Sequence, residues 1–263
     1  MELPPRPRYS PTMNYRHAFH AGNFADVVKH AILALCLDHL GSKDKPYRVI
    51  DTHAGIGAYD LTSDEAARSP EWVDGIGRII GADMPDDVAA ALKPYLDYAR
   101  DGRVKVEHRD GYKALTGLVP PKEKRGLVLI DPPFEDRDEL AHLAEAVMPA
   151  LKKWPIGTYV FWRSLKNLWA ADRFDNGLTE WLITEQGFEP EKILRADLWI
   201  RDLASDGKLS GAGVIIINPP WQLEEKLLAL LPWLAETLAQ GDGYGWRLDG
   251  GLTEEDVEEA EDD

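Results

Sequence analysis

The stretch RGLVLIDPPF, residues 125–134, decides the fold. Its centre is an unbroken apolar run, too short for a helix that must bury a face, and closed abruptly by Asp131 and two prolines. An unbroken run of this length is the pattern of a strand covered on both faces, as in the middle of a parallel sheet. Proline cannot donate to a sheet ladder, so Pro132 and Pro133 end the strand and stiffen the corner behind Asp131. In open α/β sheets, ligands bind beyond the carboxyl ends of the strands, so the corner falls where chemistry is expected.

Working outward, the flanks alternate between helical and strand patterns. Upstream, Phe24, Val27, Val28, Ala31 and Leu35 recur at helical spacing and predict a helix over 24–40. A short buried strand follows at 47–50, then the small-residue loop DTHAGIG (51–57). Residues 62–100 read as helical throughout, with Pro70 and Pro85 as first-turn prolines. RVKVEH (103–108) alternates like a strand and leads to Asp110-Gly111. Downstream, Leu140, Leu143, Val147 and Leu151 mark a helix, 158–162 a strand and 178–186 another helix. Strands near 192–201 and 214–218 flank a turn-rich segment and should pair antiparallel. A last helix over 223–239 contains Pro232 and is expected to kink there. The alternation predicts an α/β sheet with an antiparallel edge.

The chain has 263 residues, 44% of them hydrophobic, which suits one domain with a modest insertion. Residues 1–12 are Pro-rich and aperiodic and are expected to be a mobile extension, without the apolar core of a secretory signal. No apolar run approaches the length of a membrane span. The single cysteine, Cys36, lies in an apolar run and reads as a core residue of a protein kept in a reducing compartment. The net charge is −16, but Gly251 to Asp263 alone supplies eight acids and no base. Residues 241–263 therefore read as an acidic tail, and the acidity lowers the expectation of nucleic-acid binding without removing it.

Asp131-Pro132-Pro133-Phe134 is the leading candidate for catalysis. The lone pair of an adenine N6 amine is delocalised into the ring. A carboxylate at Asp131 and the carbonyl of Pro132 can each accept one N–H, favouring a pyramidal nitrogen directed at a methyl sulfonium. Phe134 offers a face for an extruded base. The amine of DNA adenine or of a glutamine side chain would fit the same corner. In the 51–57 loop, Gly55 and Gly57 permit close backbone approach to a ligand, although a plain strand-to-loop turn explains them equally well. Asp110 after a strand could hold a polar cofactor edge. IINPPW (216–221) repeats the shape of the corner with Asn218 and Trp221, but at the far end of the hairpin it reads as structural. Taken alone, the cluster from Tyr15-Arg16-His17 to Lys29-His30 reads as a solvated helix face. No His or Cys pair has metal-ligand spacing, so no metal is expected.

The segments NYRHAFHAGNFADVVKH (14–30), DKPYRVIDTHAGIGAYDL (44–61), RVKVEHRDGYKAL (103–115), RGLVLIDPPFE (125–135) and GAGVIIINPPWQLE (211–224) together resemble the RlmJ family of bacterial methyltransferases. The resemblance spans most of residues 13–240. It implies a Rossmann-like, S-adenosylmethionine-dependent methyltransferase core over 13–240, with a small helical insertion at about 58–102 and an antiparallel C-terminal hairpin. It also implies N6-methylation of one adenine in protein-free 23S rRNA by a cytoplasmic monomer. Carried over by motif, Lys29, His53, Asp110 and Gly111 would contact the cofactor beside Gly55. Asp131 would be the catalytic acceptor, and Tyr15 and Arg16 would lie near the substrate.

Two departures stand out. A core of this type needs a strand ending in Asp or Glu to hold the cofactor ribose, and 58–102 holds no such strand. The family's helix-strand-helix is missing between Tyr98 and Arg103, which predicts weakened cofactor binding unless another acid, such as Asp60, takes over. Trp162-Arg163-Ser164 stands where the family carries Trp-Tyr-Pro. Loss of that core segment leaves open a non-catalytic RNA-binding relic as the alternative.

Overall fold

The computed structural model describes residues 16–54, 59–81, 110–134, 139–166, 168–203 and 209–250. One six-stranded sheet organises them, in the order β1-β2-β3-β5-β4-β6. Its strands are β1 (Arg48–Asp51), β2 (Gly126–Ile130), β3 (Thr158–Ser164), β4 (Ile193–Trp199), β5 (Gly211–Ile217) and β6 (Gly245–Gly250). β1, β2 and β3 pair in parallel, with Ile50 opposite Val128 and Leu129 opposite Val160. β5 then runs antiparallel between β3 and β4, and β6 pairs antiparallel with β4.

The helices are α1 (Phe24–Gly41), α2 (Asp64–Arg68), α3 (Ile76–Gly81), α4 (Gly111–Leu118), α5 (Glu139–Lys153), α6 (Leu168–Thr184) and α7 (Leu223–Leu238). β2 is buried at every residue, and alternation sends its side chains to two different cores. Leu127 and Leu129 join Val28, Ile32 and Cys36 of α1 and Leu227 and Leu231 of α7. Val128 and Ile130 join Leu115, Leu143, Val147 and Leu182 of α4, α5 and α6 on the opposite face. Each fully buried side chain of this kind contributes roughly 1.5–3 kcal/mol. Two such layers clamp the strand whose end carries Asp131. Cys36 is wholly buried, and burial pushes its thiol up to about 12, as befits a core residue.

The structure corrects several boundaries. Residues 245–250, assigned above to the acidic tail, form β6, because Trp246 and Leu248 pack on the core and the backbone extends the ladder of β4. The helix expected at 178–186 begins at Leu168. Residues 62–81 are not one helix: Pro70 sits in a turn, its carbonyl accepting from the Val73 N–H at 3.1 Å, and α2 and α3 flank that turn. β1 is less buried than its apolar letters suggest, with Val49 39% exposed. α7 continues through Pro232, which lies inside the helix. The expected extension at 1–12, the strand at 103–108, the insertion beyond residue 81 and the tail beyond residue 250 lie outside the described residues. No described helix is long and apolar enough to cross a membrane.

Candidate active site

The site forms where the carboxyl ends of β1 and β2 meet the first turns of α1. Asn23 caps α1, its side-chain oxygen accepting from the Asp26 N–H at 3.0 Å. Asp26 and Lys29, three residues apart, then share one face of the helix. The Lys29 Nζ donates to Asp26 Oδ1 at 3.0 Å and to Asp131 Oδ2. The other Asp26 oxygen accepts from the Gly22 N–H and meets His17 Nε2, each at 2.9 Å. A continuous polar chain therefore runs from His17 through Asp26 and Lys29 to Asp131.

Electrostatics hold the two central members of this chain, Asp26 and Lys29, charged. Burial opposes the Lys29 ammonium, but Asp131 and Asp26 outweigh it and hold the ammonium above its ordinary range. Burial likewise opposes the Asp26 carboxylate, yet the His17 hydrogen bond and the Lys29 charge keep it well below the usual carboxylate range. Asp51, at the end of β1, behaves in the opposite way. Its residue keeps exposed surface, but crowding by protein desolvates the carboxyl and pushes it up to about 6, with Asp131 adding like charge. The His53 N–H donates to Asp51 at 3.1 Å and moderates the rise.

One wall of the crevice comes from the β1 loop and α4. The Thr52 N–H donates to the Leu129 carbonyl at 3.1 Å, and Thr52 Oγ1 lies 2.7 Å from His53 Nδ1. The His53 ring stands edge-on to Tyr112 at 4.7 Å, and burial lowers its pKa, favouring a neutral imidazole. Asp110 caps α4 by accepting from the Lys113 N–H at 3.1 Å. A Cβ on Gly111 would lie 2.0 Å from the Thr52 carbonyl, so only glycine allows α4 to seat against the loop.

The opposite wall is aromatic. Phe134 adopts φ +52° and stands edge-on to Trp162, with ring centres 5.1 Å apart. The Lys29 ammonium lies 5.8 Å from the centre of the Trp162 ring, while Pro132 is buried at the corner itself. Arg16 projects outward, paired to Glu65 at 2.9 Å and 5.5 Å from the centre of the Phe19 ring.

Of the residues singled out from sequence, the structure gathers Lys29, His53, Asp110, Gly111, Asp131, Pro132 and Phe134 around these strand ends, with Arg16 at the rim. Tyr15 and Gly55 lie outside the described residues. Lys29 belongs to a buried ion chain and not to a solvated helix face. His17, read in the same cluster as part of a solvated helix face, instead meets Asp26; Asp26 itself was not singled out, and its signal was its three-residue spacing from Lys29. Asp51 was not singled out as an ionisable group, and Trp162, noted only within a departure from the family's pattern, stands behind Phe134. Asn218 is structural as expected: its side-chain amide donates to the Pro155 and Gly157 carbonyls, both at 2.8 Å, at the far end of the sheet. Among the described residues, no group of three or more His, Cys, Asp or Glu side chains could hold a metal ion.

Comparison with known proteins identifies the family. The family model described as "Ribosomal RNA large subunit methyltransferase D, RlmJ" matches residues 44–101 and 96–249. The Haemophilus influenzae protein named ribosomal RNA large subunit methyltransferase J is 31% identical over 282 positions, covering 90% of this chain and 98% of that one. The Escherichia coli protein of the same name is 30% identical, covering 88% and 96%. A crystal structure of a Legionella pneumophila protein, under family model DUF519, superposes with a TM-score of 0.74 at 25% identity, covering 89% of this chain and 99% of its own. The 282-position alignment is longer than this chain, so the relative carries residues without a counterpart here. The family match is itself in two parts, which overlap at 96–101. With the model matching most of its length and both relatives aligned nearly end to end, the chain belongs to the RlmJ family of ribosomal RNA large subunit methyltransferases.

Proposed function

We propose that this protein transfers a methyl group from S-adenosylmethionine to N6 of an adenine in 23S ribosomal RNA. The observation that carries the reading is Asp131, fixed by a buried strand and a Pro-Pro corner and oriented by Lys29. With Oδ2 engaged by Lys29, the remaining carboxylate oxygen and the Pro132 carbonyl are the two acceptors the amine needs. Phe134, braced edge-on by Trp162, offers its ring to a base taken out of the stack. Arg16 at the rim suits a phosphate contact, and Tyr15 would adjoin it.

The crevice fits a cationic cofactor. Asp51 and Asp131 lie near enough to act on each other as like charges, while the Lys29 charge is shared with Asp26, so carboxylate is in excess. Lys29, His53, Asp110 and Gly111, with Gly55, would hold the cofactor, whose chemical contribution is an electrophilic methyl group. Orientation and the exclusion of water are then the tasks left to the chain.

Methyl transfer from labelled cofactor to free 23S rRNA, with the modified base mapped by mass spectrometry, tests the reading. Transfer to an adenine amine supports it; preference for DNA or protein, or no transfer to any of the three, overturns it. The missing core segment favours one second reading, an RNA-binding relic. RNA retention without transfer, unaltered by Asp131→Ala, would be its signature.

A further inference from the structure

The insertion between β1 and α4 is more than a spacer. Glu71, in the turn between α2 and α3, grips the N-terminal segment with both carboxylate oxygens. Oε1 meets His20 Nδ1 at 3.0 Å, and Oε2 accepts from Asn23 Nδ2 at 3.0 Å. Ser69 Oγ donates to Oε1 at 3.2 Å and fixes the carboxylate from its own side of the turn. Beside this grip, the Ile76 N–H donates to the Gly22 carbonyl at 2.8 Å. A Cβ on Gly75 would fall 2.1 Å from that same carbonyl oxygen, so the two backbones touch without a side chain between them. Arg16 to Glu65 adds a third tie at the rim.

The turn is itself anchored away from the site. Ile79 is buried in the core of α1 and α7, and Arg78 donates to the Ala239 carbonyl at 2.5 Å just past the end of α7. Asp74 holds the same guanidinium at 2.8 Å. The body of α1 is independently fixed, since Val28, Ile32 and Cys36 are wholly buried. Between these fixed bodies lies the segment 16–23, which carries Arg16 and His17; Asp26 holds it to α1 through His17 and Gly22, and Glu71 holds it to the turn through His20 and Asn23.

We propose that Glu71 is a positioning residue for the substrate: it clamps residues 16–23 to the insertion so that the N-terminal segment is presented to the RNA in one fixed arrangement. The proposal rests on the RNA-methylating reading for the identity of the substrate, but the clamp is testable without it. Asn23 has a second task as the α1 cap, so Glu71 also orders the residue that starts the helix of Asp26 and Lys29.

The experiment compares wild type, Glu71→Ala and Glu71→Gln as full chains, by amide hydrogen exchange and by steady-state transfer to free 23S rRNA. Glu71→Ala should speed exchange at amides of residues 19–23 while leaving β2 and β3 protected. It should raise KM for the RNA about tenfold, the low end for lost hydrogen bonds to a charged group, with kcat within about twofold. Glu71→Gln, whose amide oxygen still accepts from Asn23, should recover most of both effects. Unchanged exchange at 19–23, or a uniform loss of protection reaching β2 and β3, overturns the clamp. So does an unaltered KM in an active enzyme. If wild type transfers no methyl group, the functional reading fails, and the exchange arm alone still decides the clamp.

Discussion

Lys29 on α1 and Asp131 at the end of β2 are joined directly, across 102 residues of sequence, by an ammonium-to-carboxylate hydrogen bond. The bond ties the docking of a helix to the orientation of the proposed catalytic oxygen. Asp26 takes part of the same charge from one turn earlier on α1, so neither carboxylate is left alone in a poorly solvated place. Removing the cation would strand two carboxylates at once.

Lys29→Met should therefore destabilise the fold at neutral pH by about 3–5 kcal/mol, the usual cost of breaking a buried pair from one side. The sign with pH follows from Asp26. Its folded pKa is depressed, so in wild type its contribution is present above the unfolded value near 4 and lost as pH falls through the folded one. In the variant that contribution is absent, and protonation relieves the stranded charge. Urea unfolding should show a deficit at pH 7 that narrows towards pH 4. An equal deficit at both would separate Lys29 from the carboxylates.

Asp131→Ala should lower methyl transfer by about 10²–10⁴-fold, the range for a positioned proton-handling group. Asp131→Asn keeps an oxygen acceptor and should retain measurable turnover. The two rates, measured on the same rRNA transcript, distinguish an acceptor role from a purely electrostatic one. Wild-type rates in the alanine variant would remove Asp131 from the reaction.

Much of this was legible in the sequence, for identifiable reasons. β2 is an uninterrupted apolar run with a proline stop, and both its burial and its corner follow from those letters. Asn218-Pro-Pro-Trp221 copies the corner's letters, and only its place at the end of the hairpin strand told it apart. β6 was hidden because Gly245 to Gly250 mixes a tryptophan and a leucine with Arg247 and Asp249, and its ladder depends on a distant partner, β4. The charge of Lys29 was equally obscure: a lysine on a helix reads as solvent-facing unless Asp131, a hundred residues away, is known to be its neighbour.

Phe134 sits at φ +52°, a region that costs a non-glycine residue roughly 1–2 kcal/mol and persists where the surroundings hold it. Here Trp162 and the Pro-Pro corner do so. Phe134→Ala should weaken capture of the target base by about 1–3 kcal/mol if the ring stacks on it. The loss should appear in KM for RNA, and cofactor affinity measured by calorimetry should not change with it.

The core segment that the sequence reading finds missing leads to a prediction about the cofactor. Asp60, the acid the sequence offers to replace the ribose carboxylate, already accepts from the Thr62 N–H at 2.8 Å and hydroxyl at 2.7 Å. S-adenosylmethionine should accordingly bind about 10- to 100-fold more weakly than to the Haemophilus relative, the loss expected for one hydrogen bond to a charged group. Parallel calorimetry on this protein and the Haemophilus relative decides it. Equal affinities would mean that another group has taken the role.

The departure at Trp162-Arg163-Ser164 has a structural account. Arg163 is fully buried on β3, its Nε donating to Asp175 Oδ2 at 2.7 Å and its Nη2 lying 2.7 Å from Asp197 Oδ1. The second contact has ion-pair distance without hydrogen-bond alignment, so Asp197 Oδ1 stays unsatisfied there, and its Oδ2 is held instead by Arg247 of β6 at 2.6 Å. Arg195 reaches Asp175 at 3.1 Å, and Gly213 leaves room for the guanidinium, since a Cβ there would lie 2.0 Å from Nη1. The network thus stitches β3, β4, β6 and α6 together. Arg163→Met would leave Asp175 to Arg195 and Asp197 to Arg247 alone, an incomplete compensation of two buried charges that should cost about 3 kcal/mol. Burial already lifts Asp175 to about 6, above its unfolded value, so lowering the pH through that range neutralises it and favours the fold. The deficit of Arg163→Met should be larger at pH 7.5 than at pH 5, and adding Asp175→Asn should recover part of it at the higher pH. Denaturation midpoints of the single and double variants at both values measure this, and a pH-independent deficit would show that packing, not stranded charge, is what Arg163 supplies.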